Sequence, residues 1–170
     1  LAASLAGDDF NYTGSDGNLY ATDGTWHSDG FRKSDALRCF KIALYLDPVT
    51  RRTGALRVIP GSHRVDDSFA LALQEQIGDC GNTWGVDPDN VPAVALETRP
   101  GDVVVFDQNI KHVGLGGGRR RRMFTINVCE HCGPQRRKEL EAIVRSHVDF
   151  WAIHRERFDI DAQRPYGRAM

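Results

Sequence analysis

The sequence predicts a mainly β protein, a sandwich or barrel of short strands with helices added at its flanks. Short apolar runs recur, and each is closed by a glycine or proline turn. Residues 55–59 stop at Pro60-Gly61, and residues 103–107 start after the turn at 99–102. Sustained helical spacing is confined to a long stretch near the end, from Pro134 to about His154, where Leu140, Ile143, Val144, His147, Val148 and Trp151 fall on one face. No internal repeat, low-complexity stretch or second domain is visible.

At 170 residues the chain is long enough for one domain with a sizeable core. Its net charge of -1 gives no general attraction to nucleic acid or to an anionic membrane. No apolar run approaches the roughly 20 residues that cross a bilayer. The opening residues 1–6 are short and lack a basic flank, so they do not read as a signal peptide. The chain begins with Leu1 rather than Met, as a fragment or processed product would. Cys129-Glu130-His131-Cys132 has the form of half a zinc site or a redox pair, but no second ligand pair accompanies it. Free thiols in a reducing cytoplasm are the expectation for Cys39, Cys80, Cys129 and Cys132.

Taken in order, residues 1–18 are rich in turn formers and read as irregular. A short strand over 19–22 ends at Asp23-Gly24. Trp26-His27-Ser28-Asp29 is extended, and Gly30 lets the chain bend away. Residues 39–46 give the clearest strand: Phe40, Ile42, Leu44 and Leu46 share one face, and Lys41, Ala43 and Tyr45 the other. A loop over 47–54 leads to the strand at 55–59 and the Pro60-Gly61-Ser62-His63 turn. A short helix is expected over 67–77, capped by Asp67 or Ser68, with Phe69, Leu71, Leu73 and Ile77 as its apolar residues. Residues 78–92 read as a loop carrying Trp84, the kind of segment that covers a site. Strands follow at 94–96, 103–107 and 123–128, with a glycine bend at 114–118 before the last. The tail 157–170 reads as polar and loose.

His27 and Asp29 are the first candidate site residues. Two residues apart on an extended segment, their side chains point to the same side. An isolated His-x-Asp is more often a surface pair than a ligand pair. His112, just past the apolar strand 103–106, is the best candidate for a third donor. Two histidines and one carboxylate on one side of a metal form the facial triad of non-haem Fe(II) oxygenases.

Further motifs stand in order with these. They are Tyr45-Leu46-Asp47, then Gly54-Ala55-Leu56-Arg57-Val58-Ile59-Pro60-Gly61-Ser62-His63, then Gly101-Asp102-Val103-Val104-Val105-Phe106, and the run Arg119-Arg120-Arg121-Arg122 after His112. Together they resemble the phytanoyl-CoA dioxygenase family of Fe(II)/2-oxoglutarate oxygenases, over about residues 20–130. The resemblance implies a double-stranded β-helix (jelly roll) with flanking helices, including the C-terminal one. It implies that His27, Asp29 and His112 hold Fe(II). It further implies that 2-oxoglutarate chelates the iron, with O2 as the other cosubstrate, and that an arginine on the next strand takes its distal carboxylate. The family match favours Arg121, with Thr125 on the same face as a second donor. Burial logic favours Arg122, whose face carries the apolar Phe124, Ile126 and Val128. A solvated basic patch or a nucleic-acid contact is the plain alternative for the run. Lys41 either reaches a cosubstrate carboxylate or is solvated. His63 reads as structural, and His131, His147 and His154 as non-catalytic.

The implied reaction is hydroxylation of an unactivated C–H of a small molecule, with release of succinate and CO2. Related halogenases lack the carboxylate, so Asp29 points to hydroxylation. Family members usually carry a longer helical region before the His-x-Asp strand, whereas only residues 1–26 precede His27 here. The expectation is therefore a single dioxygenase-like domain over 1–170 without that helical region. A non-catalytic jelly-roll binding protein and a cupin-type metalloenzyme that does not use 2-oxoglutarate are the alternatives. Substrate identity and oligomeric state are not encoded in any motif.

Overall fold

A computed structural model describes residues 1–20, 23–30, 36–77, 85–116 and 121–153. Expectations for Ala21, Thr22, Cys80, Trp84, Arg119, Arg120, His154 and the tail fall outside these residues. The chain divides into two compact units, Leu1–His131 and Cys132–Met170.

Among the described residues, the first unit contains seven strands: β1 (Asn11–Tyr20), β2 (Cys39–Tyr45), β3 (Leu56–Val58), β4 (Val94–Leu96), β5 (Val103–Asp107), β6 (His112–Gly114) and β7 (Arg121–Cys129). They form two antiparallel sheets, ordered β1-β7-β2-β5 and β4-β3-β6. The segment around His27 joins the second sheet through an antiparallel bridge to His112. Pairing is nested. β3 pairs with β4, β2 with β5, the His27 segment with β6, and β1 with β7. Successive pairs lie in alternate sheets, which is one long hairpin rolled up, and that is the jelly roll.

Strand alternation sets what lies between the sheets. Ala43 and Tyr45 of β2, Leu56 and Val58 of β3, and Val104 and Phe106 of β5 form the inner core with Val49 and Ala55. Both outer faces are also covered. Helix α1 (Ala2–Ala6) places Ala6 with Phe40 and Val128 outside the first sheet. Helix α2 (Ser68–Gln76) places Leu73 with Trp26, Ile59, Ile77, Val91, Val113 and Leu115 outside the second. Double coverage explains why Phe40 and Ile42 are buried on the face of β2 opposite Ala43 and Tyr45.

Two local expectations change. Residues 11–18 form most of β1 rather than an irregular lead. Their glycines, Asn and Asp disfavour a strand intrinsically, but β1 is an edge strand held in register by β7, with a bulge between Tyr12 and Gly14. In α2, Asp67 is the cap and accepts from the Phe69 and Ala70 amides. Phe69 and Leu71 are exposed, while Ala70, Leu73 and the capping Ile77 are buried, which restores i, i+3, i+7 spacing.

Among its described residues, the second unit has a 3-10 turn (Pro134–Arg136) leading into α3 (Arg137–Ile153), close to the span read from the sequence. Arg136–Glu139 and Arg137–Glu141 ion pairs tie its first turns. Among the described residues, no helix is long and apolar enough to cross a membrane.

Candidate metal centre

His27 and His112 are directly opposed across their bridge. Each amide donates to the other's carbonyl, at 3.0 and 2.8 Å. Directly opposed residues put their side chains on one face, and here the two rings are 4.3 Å apart. Asp29, two residues on from His27, joins them. Its Oδ1 is 3.8 Å from His27 Nε2, and its Oδ2 is 3.8 Å from His112 Nε2. One donor atom from each of the three lies within 4.8 Å of the others.

The tautomers suit a metal. His27 Nδ1 donates to the Thr25 carbonyl at 2.7 Å, and His112 Nδ1 donates to the Ile110 carbonyl at 2.9 Å. Each Nε2 lone pair is thereby left facing Asp29. Two imidazole lone pairs and a carboxylate on one side fit a first-row divalent ion that keeps open positions.

Backbone anchors fix the three. Ser28 lies between His27 and Asp29. Its hydroxyl donates to the Asn109 carbonyl and accepts from Gln74 Nε2, both at 2.9 Å. Ser62 of the Pro-Gly-Ser-His turn is fully buried. It donates to the Ile59 carbonyl at 2.7 Å and accepts the Lys111 amide at 2.9 Å. Gly61 takes the positive φ that this turn requires. The motif therefore pins the residue next to His112. Ser62→Ala leaves the buried Lys111 N–H without its acceptor and is expected to cost about 1–3 kcal/mol of stability. Urea unfolding measures it, and a cost near zero would mean that another group replaces the hydroxyl.

Burial pulls the His112 imidazole down to about pKa 4, and the His27 ring adds to this, while Asp29 opposes it. His112 is therefore neutral, as a ligand must be, at pH 7. In the metal-free protein the unfolded chain takes up this proton near pH 6.5 and the folded chain only near 4. Stability from this group is full above about 6.5, falls through that window and is flat below it, a loss on the order of 3 kcal/mol. Urea midpoints in EDTA from pH 7 to 4 measure this. For Asp29, burial acts to raise the carboxyl, but Lys41, His112 and His27 outweigh it and the net shift is downward.

Lys41 is on the inner face of β2, and its Nζ is 2.8 Å from Asp29 Oδ2. Of the four arginines in the run, Arg121 and Arg122 are described, and they part company. Arg121 is buried, 7 % exposed, and its guanidinium donates to the Gly54 carbonyl. A Cβ added at Gly114 would lie 2.8 Å from two of its nitrogens, so glycine at 114 makes room for the guanidinium. Arg122 points outward and forms a two-pronged pair with Asp47. Its hydrogen bonds hold the Asp47 carboxyl down at about 2. Thr125 shares the inner face with Arg121 and donates to Asp16 of β1 at 3.3 Å. Beside the Asn109 turn lies a cavity of about 450 Å³, lined by Leu37, Arg38, His63, Asp67 and Asp107 among others.

Several supporting groups carry no signal in the sequence. Asp16 lay in a stretch read as irregular. Gln74 and Asn109 carry no motif, and Gly114 read only as part of a flexible bend. Trp26, beside His27, is 1 % exposed and donates to the Pro88 carbonyl at 3.1 Å.

A jelly roll with two histidines and a carboxylate gathered on its inner wall defines a class, proteins with the donor set of non-haem Fe(II) oxygenases. The chain belongs to the phytanoyl-CoA dioxygenase family, whose family model, Phytanoyl-CoA dioxygenase (PhyH), matches residues 18–123. It is 31% identical over 110 residues to the ectoine dioxygenase of Sphingopyxis alaskensis, covering 54% of this chain and 33% of that protein. Among solved structures it is similar to EctD from S. alaskensis with bound Fe (26% identity, TM-score 0.53, 76% of this chain and 48% of that one). It is also similar to EvdO2 from Micromonospora carbonacea var. aurantiaca complexed with 2-oxoglutarate (25% identity, TM-score 0.52, 75% and 55%). The chain thus spans a third of the curated relative and about half of these solved ones.

Proposed function

We propose that this protein is an Fe(II)- and 2-oxoglutarate-dependent dioxygenase that hydroxylates an unactivated C–H of a small molecule. The observation that carries the reading is the convergence of His27, Asp29 and His112 inside the jelly roll, with the guanidinium of the buried Arg121, carried on β7 of the other sheet, standing over Gly114, two residues along β6 from His112. His27 Nε2, His112 Nε2 and an Asp29 oxygen hold the iron. Iron with bound 2-oxoglutarate supplies the oxidising chemistry, at the expense of O2 and with release of succinate and CO2.

The chain's own residues bind, orient and shield. Both imidazoles are fixed as Nε2 donors by their carbonyl partners. Arg121 takes the distal carboxylate of the cosubstrate, because its guanidinium stands over Gly114, one side-chain repeat or about 7 Å along β6 from His112. A short dicarboxylate with one end at the ligands spans that gap. Thr125 on the same face offers a second donor once its bond to Asp16 is exchanged. Lys41 also faces this space, where an anion can draw on its charge.

Anaerobic addition of Fe(II) and then 2-oxoglutarate tests the reading. A weak visible charge-transfer band is expected in the parent and not in Asp29→Ala. A folded parent without that band would favour a binding protein that keeps the fold but has lost turnover.

A further inference from the structure

We propose that the Lys41 ammonium is the resident counter-ion of Asp29, and that a divalent metal must displace it to bind. This rests on the metal-site reading above. Alternation puts Lys41 on the inner face of β2, between its register partners Asn127 on β7 and Phe106 on β5. From there its Nζ reaches Asp29 Oδ2 at 2.8 Å, the same oxygen that faces His112 Nε2 at 3.8 Å. Both side chains are largely shielded, with 19% and 15% exposure. Ammonium and metal therefore compete for one carboxylate oxygen.

Two consequences of opposite sign follow from that competition. Without metal, Asp29 is a carboxylate taken out of water beside two imidazoles, and Lys41 is the cation that compensates it. Removing the ammonium weakens the metal-free protein. With metal, the ammonium is a like charge on the ion's own ligand. Removing it strengthens metal binding. Lys41 is thus a positioning residue that holds the Asp29 carboxylate in place before metal arrives and lowers the affinity with which metal is held. A lysine that merely supports the fold would move both quantities in the same direction.

The test measures Co(II) affinity by calorimetry and the Tm of the metal-free chain, for the parent, Lys41→Met, Lys41→Gln and Lys41→Arg. Lys41→Met is expected to bind Co(II) at least about tenfold tighter than the parent while its metal-free Tm falls by several degrees. Lys41→Gln, polar and neutral, moves the same way and serves if the methionine variant does not fold. Lys41→Arg keeps the charge and stays near the parent in both. Co(II) affinity that is unchanged or weaker in the neutral variants, with the parent binding normally, overturns the inference alone. No Co(II) binding in the parent or in any variant overturns the metal site itself, and the inference with it.

Discussion

Asp29→Asn is expected to lower divalent-metal affinity by more than about a hundredfold, since even outer partners of a metal ligand are worth about 10–100-fold. Asp29 faces both histidine donors, with one oxygen 3.8 Å from each Nε2. Asparagine preserves the shape and removes the charge. What remains is two neutral imidazoles with the Lys41 ammonium beside them, an electrostatic environment that repels a dication. The fold should survive, because backbone bridging between His27 and His112 and the Ser28 hydrogen bonds do not involve the carboxylate. Circular dichroism of the variant should match the parent while the metal titration flattens. A variant that retained parental metal affinity would remove Asp29 from the ligand set.

Arg121→Ala is expected to raise the KM for 2-oxoglutarate by about a hundredfold or more, and Arg122→Ala by about twofold or less. Loss of one partner of a shielded, charge-assisted pair costs about 2–5 kcal/mol, and each 1.4 kcal/mol is a factor of ten. Arg122 spends its charge on Asp47 at the surface, where pairs matter little. Arg121 also anchors the Gly54 carbonyl, so some loss of stability accompanies the substitution. Arg121→Lys separates the two effects: it keeps a cation but not the two-pronged geometry, and its KM should fall between parent and alanine. Equal effects at 121 and 122 would exclude Arg121 as the specific anchor.

Much of this architecture was legible in the chain. The period-two pattern of residues 39–45 gave β2, and the same period placed His27 with Asp29 and Arg121 with Thr125. What failed was inference from local composition where tertiary pairing decides. β1 is poor in strand formers and exists because β7 lies beside it. Burial logic pointed to Arg122 because Phe124, Ile126 and Val128 looked like a core face. That face is the outside of the sheet, where Val128 is buried under α1 and Phe124 is exposed. The Lys41–Asp29 contact was beyond reach, since no local pattern says that β2 runs past the His27 segment.

The nested pairing has a consequence for how the chain reaches its native state. The innermost pair, β3 with β4, closes a loop from Val58 to Val94, whereas the His27–His112 bridge encloses the β2–β5 pair as well. Each outer closure is entropically unrewarded until the inner ones are in place. Topologies dominated by such distant contacts fold in milliseconds to seconds rather than microseconds. His112 stands far in the sequence from His27 and Asp29, and the three come together only through the third closure. A metal held by these three residues would therefore bind a nearly finished jelly roll and act as a latch, slowing its opening more than it speeds its formation.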